Sequence, residues 1–220
     1  MRTTPPIPDW IRAYRHPDYT NIYELLPEET RLFGTEALYG NWDAELLLLA
    51  KDYAPRQVIE ERLRRGEKRP YRHGTRELDR MGWRTNENLE THLVPELGVT
   101  SLLYGSAFGS LMRNDGKTSG RLPDEARVVE EYTVPLLSWV VTELSNLQGI
   151  ACLGNDALDT VSKLAGNHLR SLRLGKCCPI SIANKYLLAF RLYHPSRAFA
   201  GGWPARQREW RDMAEALARR

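Results

Sequence analysis

The chain has 220 residues and a mass of 25.3 kDa, enough for one domain with a sizeable core. No run reaches the ~18 consecutive apolar residues of a membrane span, and Met1-Arg2-Thr3-Thr4-Pro5-Pro6 lacks the apolar centre of a secretion signal. Cytoplasm is therefore the expected compartment, with no membrane partner. The formal net charge is +3 and the pI about 8.8. Of 31 basic residues 25 are arginine, whose planar fork suits phosphate recognition, although a merely solvated arginine-rich surface fits equally well. Three cysteines are too few for a disulfide framework. Cys177 and Cys178 are adjacent and point to opposite faces of any strand, and Cys152 lies in an apolar run, so no metal and no cofactor is expected.

In chain order, Pro5, Pro6 and Pro8 precede Trp10 and Tyr14 and mark an arm with a short helix at 8–14. Residues 20–33 read as a helix with Ile22, Leu25 and Leu26 inward. Residues 1–40 thus form an arm and helix packed on a domain of residues 41–220. Leu46 to Leu49 are four consecutive leucines, the pattern of a strand covered on both faces. Pro55 ends the following turn by removing a donor and turning Ala54 from helical geometry. A charged helix follows at 56–65, with Val58, Ile59 and Leu63 inward and Gly66 as its stop. Residues 66–84 form a polar loop carrying Tyr71, His73 and Trp83 among arginines, and loops of that length are commonly functional.

A helix at 86–97, a strand at 99–108 and a long loop at 109–123 come next. In the helix 124–147, Val129, Tyr132, Leu136, Val140 and Leu144 repeat every three to four residues, and Pro135 predicts a kink. A strand at 149–153, a helix at 156–164, a short extra strand at 178–183 and a strand at 185–193 lead to the closing helix 204–219. Its Trp210, Met213, Ala214 and Leu217 face inward, with Pro204 near its start. This alternation predicts an α/β fold, a three-layer α/β/α sandwich around a central, mostly parallel four-stranded sheet.

Two strand ends carry the chemistry. Asp52 lies just past the leucine strand, and His194-Pro195-Ser196 follows the last strand. Open parallel sheets place ligands outside the carboxyl ends of their strands. If the two strands are parallel neighbours, a carboxylate and an imidazole face one cleft. Between them lie Arg69-Pro70-Tyr71, the stretches 122–126 and 131–137, and Ala151-Cys152-Leu153-Gly154-Asn155-Asp156-Ala157. In this order, across residues 44–217, the set resembles the uracil-DNA glycosylase superfamily. The resemblance implies a monomeric, monofunctional DNA glycosylase. Such an enzyme hydrolyses the N-glycosidic bond of uracil, or another deaminated or damaged base, flipped out of single- or double-stranded DNA. The alternative is a catalytically inactive or repurposed nucleic-acid-binding protein on the same fold. The four-cysteine iron–sulfur cluster of some relatives has no counterpart.

The resemblance places Asp52 at the water-activating position, where a carboxylate stabilises an oxocarbenium-like sugar. The other reading of Asp52 is a cap on the helix 56–65. His194 would donate a hydrogen bond to the departing base, or be a structural histidine at a strand end. Ser196 matches a phosphate contact and Arg197 a phosphate or base contact. Phe199, on a glycine-rich loop, either wedges into the gap left by the flipped base or packs on the domain. Tyr71 either stacks on the base, in place of the family's phenylalanine, or anchors its loop. Lys51 and Tyr53 flank Asp52 as substrate contacts, and Tyr53 stands where the family usually has proline. Many uracil readers carry an asparagine near the end of the second strand. Here Ser106 is the polar side chain of that stretch, and a hydroxyl does not offer the side-by-side donor and acceptor of an amide. Gly116-Lys117-Thr118 is not a phosphate loop, because Leu111 stands where its first glycine belongs.

Overall fold

The computed structural model describes residues 2–51, 55–66, 84–98, 101–117, 120, 123–195 and 202–219. In order, α1 (Asp9–Ala13), β1 (Tyr19–Asn21) and α2 (Ile22–Leu25) lead into β2 (Leu46–Ala50) and α3 (Arg56–Arg64). Then α4 (Arg84–Asn88) runs through a π turn at Leu89–Leu93 into a 3-10 turn at Val94–Leu97. Strands β3 (Leu102–Ser106) and β4 (Leu111–Arg113) follow, then α5 (Glu125–Val128), a π turn at Val129–Thr133 and α6 (Val134–Glu143). The chain ends with β5 (Gly149–Leu153), α7 (Asn155–Ala165), β6 (Cys177–Ile182), β7 (Lys185–Leu192) and α8 (Gly202–Ala218).

The central sheet has the order β3-β2-β5-β7-β6. Its first four strands are mutually parallel and β6 runs antiparallel along β7. The sheet therefore has five strands where four were predicted. The fifth forms a hairpin with β7 through Ala183 and Asn184, both at positive φ (49° and 61°), the backbone of a tight two-residue turn. Leu46 to Leu49 are all fully buried. Leu46 and Leu48 join Leu89, Leu93, Trp210 and Met213, whereas Leu47 and Leu49 join Ile59, Val140, Leu158 and Val161. Two-sided burial is why this strand shows no polar alternation, each leucine contributing about 1.5–3 kcal/mol.

Three local expectations are corrected. The stretch 20–33 is not one helix, because β1 pairs antiparallel with β4. The single turn α2 has a full capping box from Asn21 and Glu24 and stops at Leu26, the residue that Pro27 bars from helical geometry. The 109–123 loop accordingly contains a strand. The helix expected over 124–147 widens into the π turn just ahead of Pro135 and stops at Glu143. Proline cannot donate and its ring collides with the carbonyl four residues back, and the wider turn relieves both. The same arrangement recurs where Leu89–Leu93 precedes Pro95. The ammonium of Lys185 closes α6 by donating to the carbonyls of Val141, Thr142 and Leu144 at 2.7–3.2 Å.

Candidate functional site at the carboxyl edge of the sheet

The chain enters the sheet at β2, moves out to β3, then crosses back to β5 and β7. The order reverses between β2 and β5, and open parallel sheets offer a ligand crevice at the carboxyl ends of strands at such a switch. Lys51 follows β2 at this edge, Gly154 follows β5, and His194 stands two residues beyond β7. β2 and β7 are parallel but not neighbours, since β5 lies between them. The strand ends carrying Lys51 and His194 are thus one strand further apart than a neighbouring pair.

Gly154 shapes the middle of this edge. Its φ of 100° suits glycine alone, and its N–H donates to the Leu192 carbonyl at 3.0 Å, tying the ends of β5 and β7. A Cβ here would lie 3.7 Å from the His194 Cβ, so the glycine backbone passes close beside the imidazole. The first turn of α7 begins immediately afterwards and contains Asp156, a favourable sign of charge at a helix N-terminus.

Lys51 reaches across the edge. Its ammonium lies 2.9 Å from Asp156 Oδ2 and donates to the Gly120 carbonyl at 3.2 Å. The Asp156 side chain is 52% exposed, so the pair is solvent-screened and worth at most about 1 kcal/mol. Ser106 is buried, and its hydroxyl is directed at the Lys51 carbonyl at 3.4 Å. The N–H groups of Ala107 and Phe108 donate to the carbonyls of Ala50 and Lys51 at 2.9 and 3.2 Å. The turn after β3 is therefore locked to the backbone of the turn after β2.

His194 is partly buried, and Pro195 is buried. Before it, the Tyr193 N–H donates to Glu209 Oε2 at 3.4 Å. Burial raises the Glu209 carboxyl above its ordinary range, with the nearby Arg206 opposing the shift. The Arg206 guanidinium also sits 4.5 Å from the centre of the Tyr193 ring. After it, the Pro195 carbonyl accepts a hydrogen bond from Asn88 Nδ2 at 2.6 Å.

Of the residues singled out in the sequence, the structure gathers Lys51, Ser106 and His194 at this edge. Asp52, Tyr53, Tyr71, Ser196, Arg197 and Phe199 lie outside the described residues. Two residues that sequence reasoning passed over, Asp156 and Asn88, belong to the same edge. Asp156 was legible in principle as an acidic residue opening a helix after a buried strand. Asn88 had no local signal, because its contact lies 107 positions away.

A groove of about 770 Å³ opens elsewhere, between the arm and the segment 25–40, with Thr4, Glu29, Arg31 and Glu36 in its wall and, among the described residues, none of the sheet edge in its lining. Among the described residues no three His, Cys, Asp or Glu side chains gather as a metal site, and no helix is long and apolar enough to cross a membrane. Cys152 is buried, which pushes its thiol pKa up, and Cys177 is exposed. No protein-family model matches the chain, and no curated protein shows significant similarity to it.

Proposed function

We propose that the chain is a DNA glycosylase-like protein on a three-layer α/β/α sandwich. Its reaction is hydrolysis of the N-glycosidic bond of uracil, or of another deaminated or damaged base, extruded from DNA. The observation that supports this reading is that the strand end leading into Asp52 and the strand end bearing His194 lie on the same carboxyl edge, on either side of β5, with the topological switch between β2 and β5. Water adds to C1′ of the sugar as the bond to the base nitrogen breaks, the base leaves with that electron pair, and the proton the water gives up is finally taken by the departed base. Asp52 stabilises positive charge at the sugar and orients the water, and His194 donates a hydrogen bond to the base as negative charge develops. Lys51 and the arginines of 69–72 and 197 supply phosphate contacts.

Purified protein incubated with labelled oligonucleotides carrying uracil, hypoxanthine, xanthine or a T·G mismatch, followed by alkaline cleavage of abasic sites, tests the proposal. Strand cleavage on at least one lesion is expected, and none on any lesion overturns it. A second reading is a repurposed nucleic-acid-binding protein. Ser106 favours it, being buried and turned onto the Lys51 carbonyl where uracil readers carry an amide. DNA binding without excision is the outcome that selects this second reading.

A further inference from the structure

Asn88 lies on the helical segment 84–97, remote in sequence from the loop it touches, and is only 7% exposed. Its Nδ2 donates to the Pro195 carbonyl at 2.6 Å. That bond completes a set of three around His194. Gly154 N–H holds the Leu192 carbonyl on one side, Glu209 accepts from the Tyr193 N–H, and Asn88 holds the carbonyl on the far side. Proline fixes its own φ and confines the residue before it to extended geometry. With the Pro195 carbonyl also held, the backbone that carries the His194 imidazole has little freedom.

The same helical segment makes a second attachment one turn on. His92 stacks on Trp203, with ring centroids 4.8 Å apart and planes 18° apart, and the His92 carbonyl accepts from Gln207 Nε2 at 3.4 Å. Residues four apart share a helix face, so one face holds Pro195 on one side of 196–201 and Trp203 on the other. The helix widens into its π turn immediately after Asn88, and such bulges are frequent at functional sites.

We propose that Asn88 is a positioning residue that orients the His194 imidazole by holding the Pro195 carbonyl. The catalytic consequence rests on the glycosylase reading above, whereas the positioning does not. The decisive variant is Asn88→Leu, similar in volume and without a donor. Histidine side-chain resonances of the full-length protein are recorded by NMR, with the His194 signals assigned from their loss in His194→Gln. Asn88→Leu should displace the His194 ring signals. Leu97→Ala, a cavity further along the same segment, should lower thermal stability and leave them in place.

In wild type, the Asn88 side-chain amide should be protected from hydrogen exchange, a measurement that needs no variant to fold. A folded Asn88→Leu with unmoved His194 signals overturns the proposal, as does an Asn88 amide exchanging as fast as a surface asparagine. If a lesion is cleaved, turnover should fall by up to about 100-fold in Asn88→Leu with DNA affinity little changed. Wild type that cleaves no lesion overturns the glycosylase reading and leaves the NMR result to decide on Asn88.

Discussion

Two regions of this molecule place polar groups against the core, and they do so in opposite ways. On the outer flank of β3, where Gly40 bridges Leu103, the Glu36 carboxylate is buried and fully engaged. One oxygen accepts from the N–H groups of Leu32 and Phe33 at 2.9 and 2.8 Å, and the other from the Thr4 hydroxyl. Burial pushes its pKa up to about 7, with the bonds from Thr4, Phe33 and Leu32 opposing the shift. At the carboxyl edge, Lys51 rests instead between a half-exposed carboxylate and a single loop carbonyl, partners that a phosphate could replace.

Perturbed titratable groups gather at functional sites, yet here the perturbed carboxylate ties Thr4 to the backbone of Leu32 and Phe33 within the first 40 residues. Its acceptor sites point at local donors and nothing is held in reserve. The edge does the reverse. Its backbone is fixed by Gly154, Ala107 and Asn88, while its charged side chains have solvent-screened partners. Rigid backbone beneath exchangeable charge is what a ligand site requires.

The sharpest way to break this contrast is to remove the proposed chemistry from the edge. His194→Ala and Asp52→Asn should each lower base excision on the order of 100-fold or more, the worth of one preorganised electrostatic contact. DNA affinity should change far less, since the proposed roles of both groups stabilise mainly the transition state. Single-turnover rates beside binding isotherms check this, and equal rates for His194→Ala and wild type would refute the mechanism.

The Glu36 side of the contrast is sharpened by pH. A folded-state pKa of about 7 against an ordinary 4.5 means that the folded protein binds the extra proton between those values. The associated stability is fully present below pH 4.5 and is lost as pH rises through 7, a span of up to about 3 kcal/mol. Glu36→Gln keeps an acceptor for the Leu32 and Phe33 N–H groups and carries no charge. Urea unfolding from pH 5 to 8 should therefore show a smaller fall in stability for Glu36→Gln than for wild type. Parallel curves would mean that this carboxylate does not titrate in the folded state.

Two lysines repeat the contrast on a smaller scale. Lys185 donates to three carbonyls at the end of α6, where a cation complements both the unpaired acceptors and the helix dipole. Lys185→Met should cost about 1–2 kcal/mol, whereas Lys51→Met should cost under about 1 kcal/mol, both read from denaturant midpoints. For DNA the order should invert. Lys51→Met should lower the log–log salt slope of binding by about one contact and Lys185→Met should leave it unchanged.

The smallest effect expected is at Asp156. Asp156→Asn removes the carboxylate that holds Lys51 and should raise DNA affinity about two- to fivefold at low salt, the scale of one screened ion pair. The gain should fade as salt rises. Unchanged affinity would place the Lys51 ammonium outside the phosphate path.

What the sequence determined by itself were the features carried by local pattern. Four adjacent leucines required a strand covered on both faces, and Leu46 to Leu49 are buried in two separate core clusters. The heptad-like spacing of Val129, Tyr132, Leu136 and Val140 required one buried helical face, and all four are buried even though the π turn interrupts the helix. His194 at a strand end was equally legible, since a strand's limits follow from its neighbours in the chain. Pro27 was a visible stop for the helix at 20–33, outweighed there by the apolar spacing of Ile22, Leu25 and Leu26.

Only the tertiary structure decided the rest, because it depends on pairings between distant segments that no local periodicity encodes. The partnering of β1 with β4 joins residues some ninety positions apart. The insertion of β5 between β2 and β7 fixes how far apart the edge residues stand, and strand order is not written in any one strand. The bond from the Asn88 amide to the Pro195 carbonyl and the ion pair of Lys51 with Asp156 join groups more than a hundred positions apart, with no pattern near either partner that points to the other. Local interactions select the elements, and burial of their shared faces then brings such side chains within reach of one another.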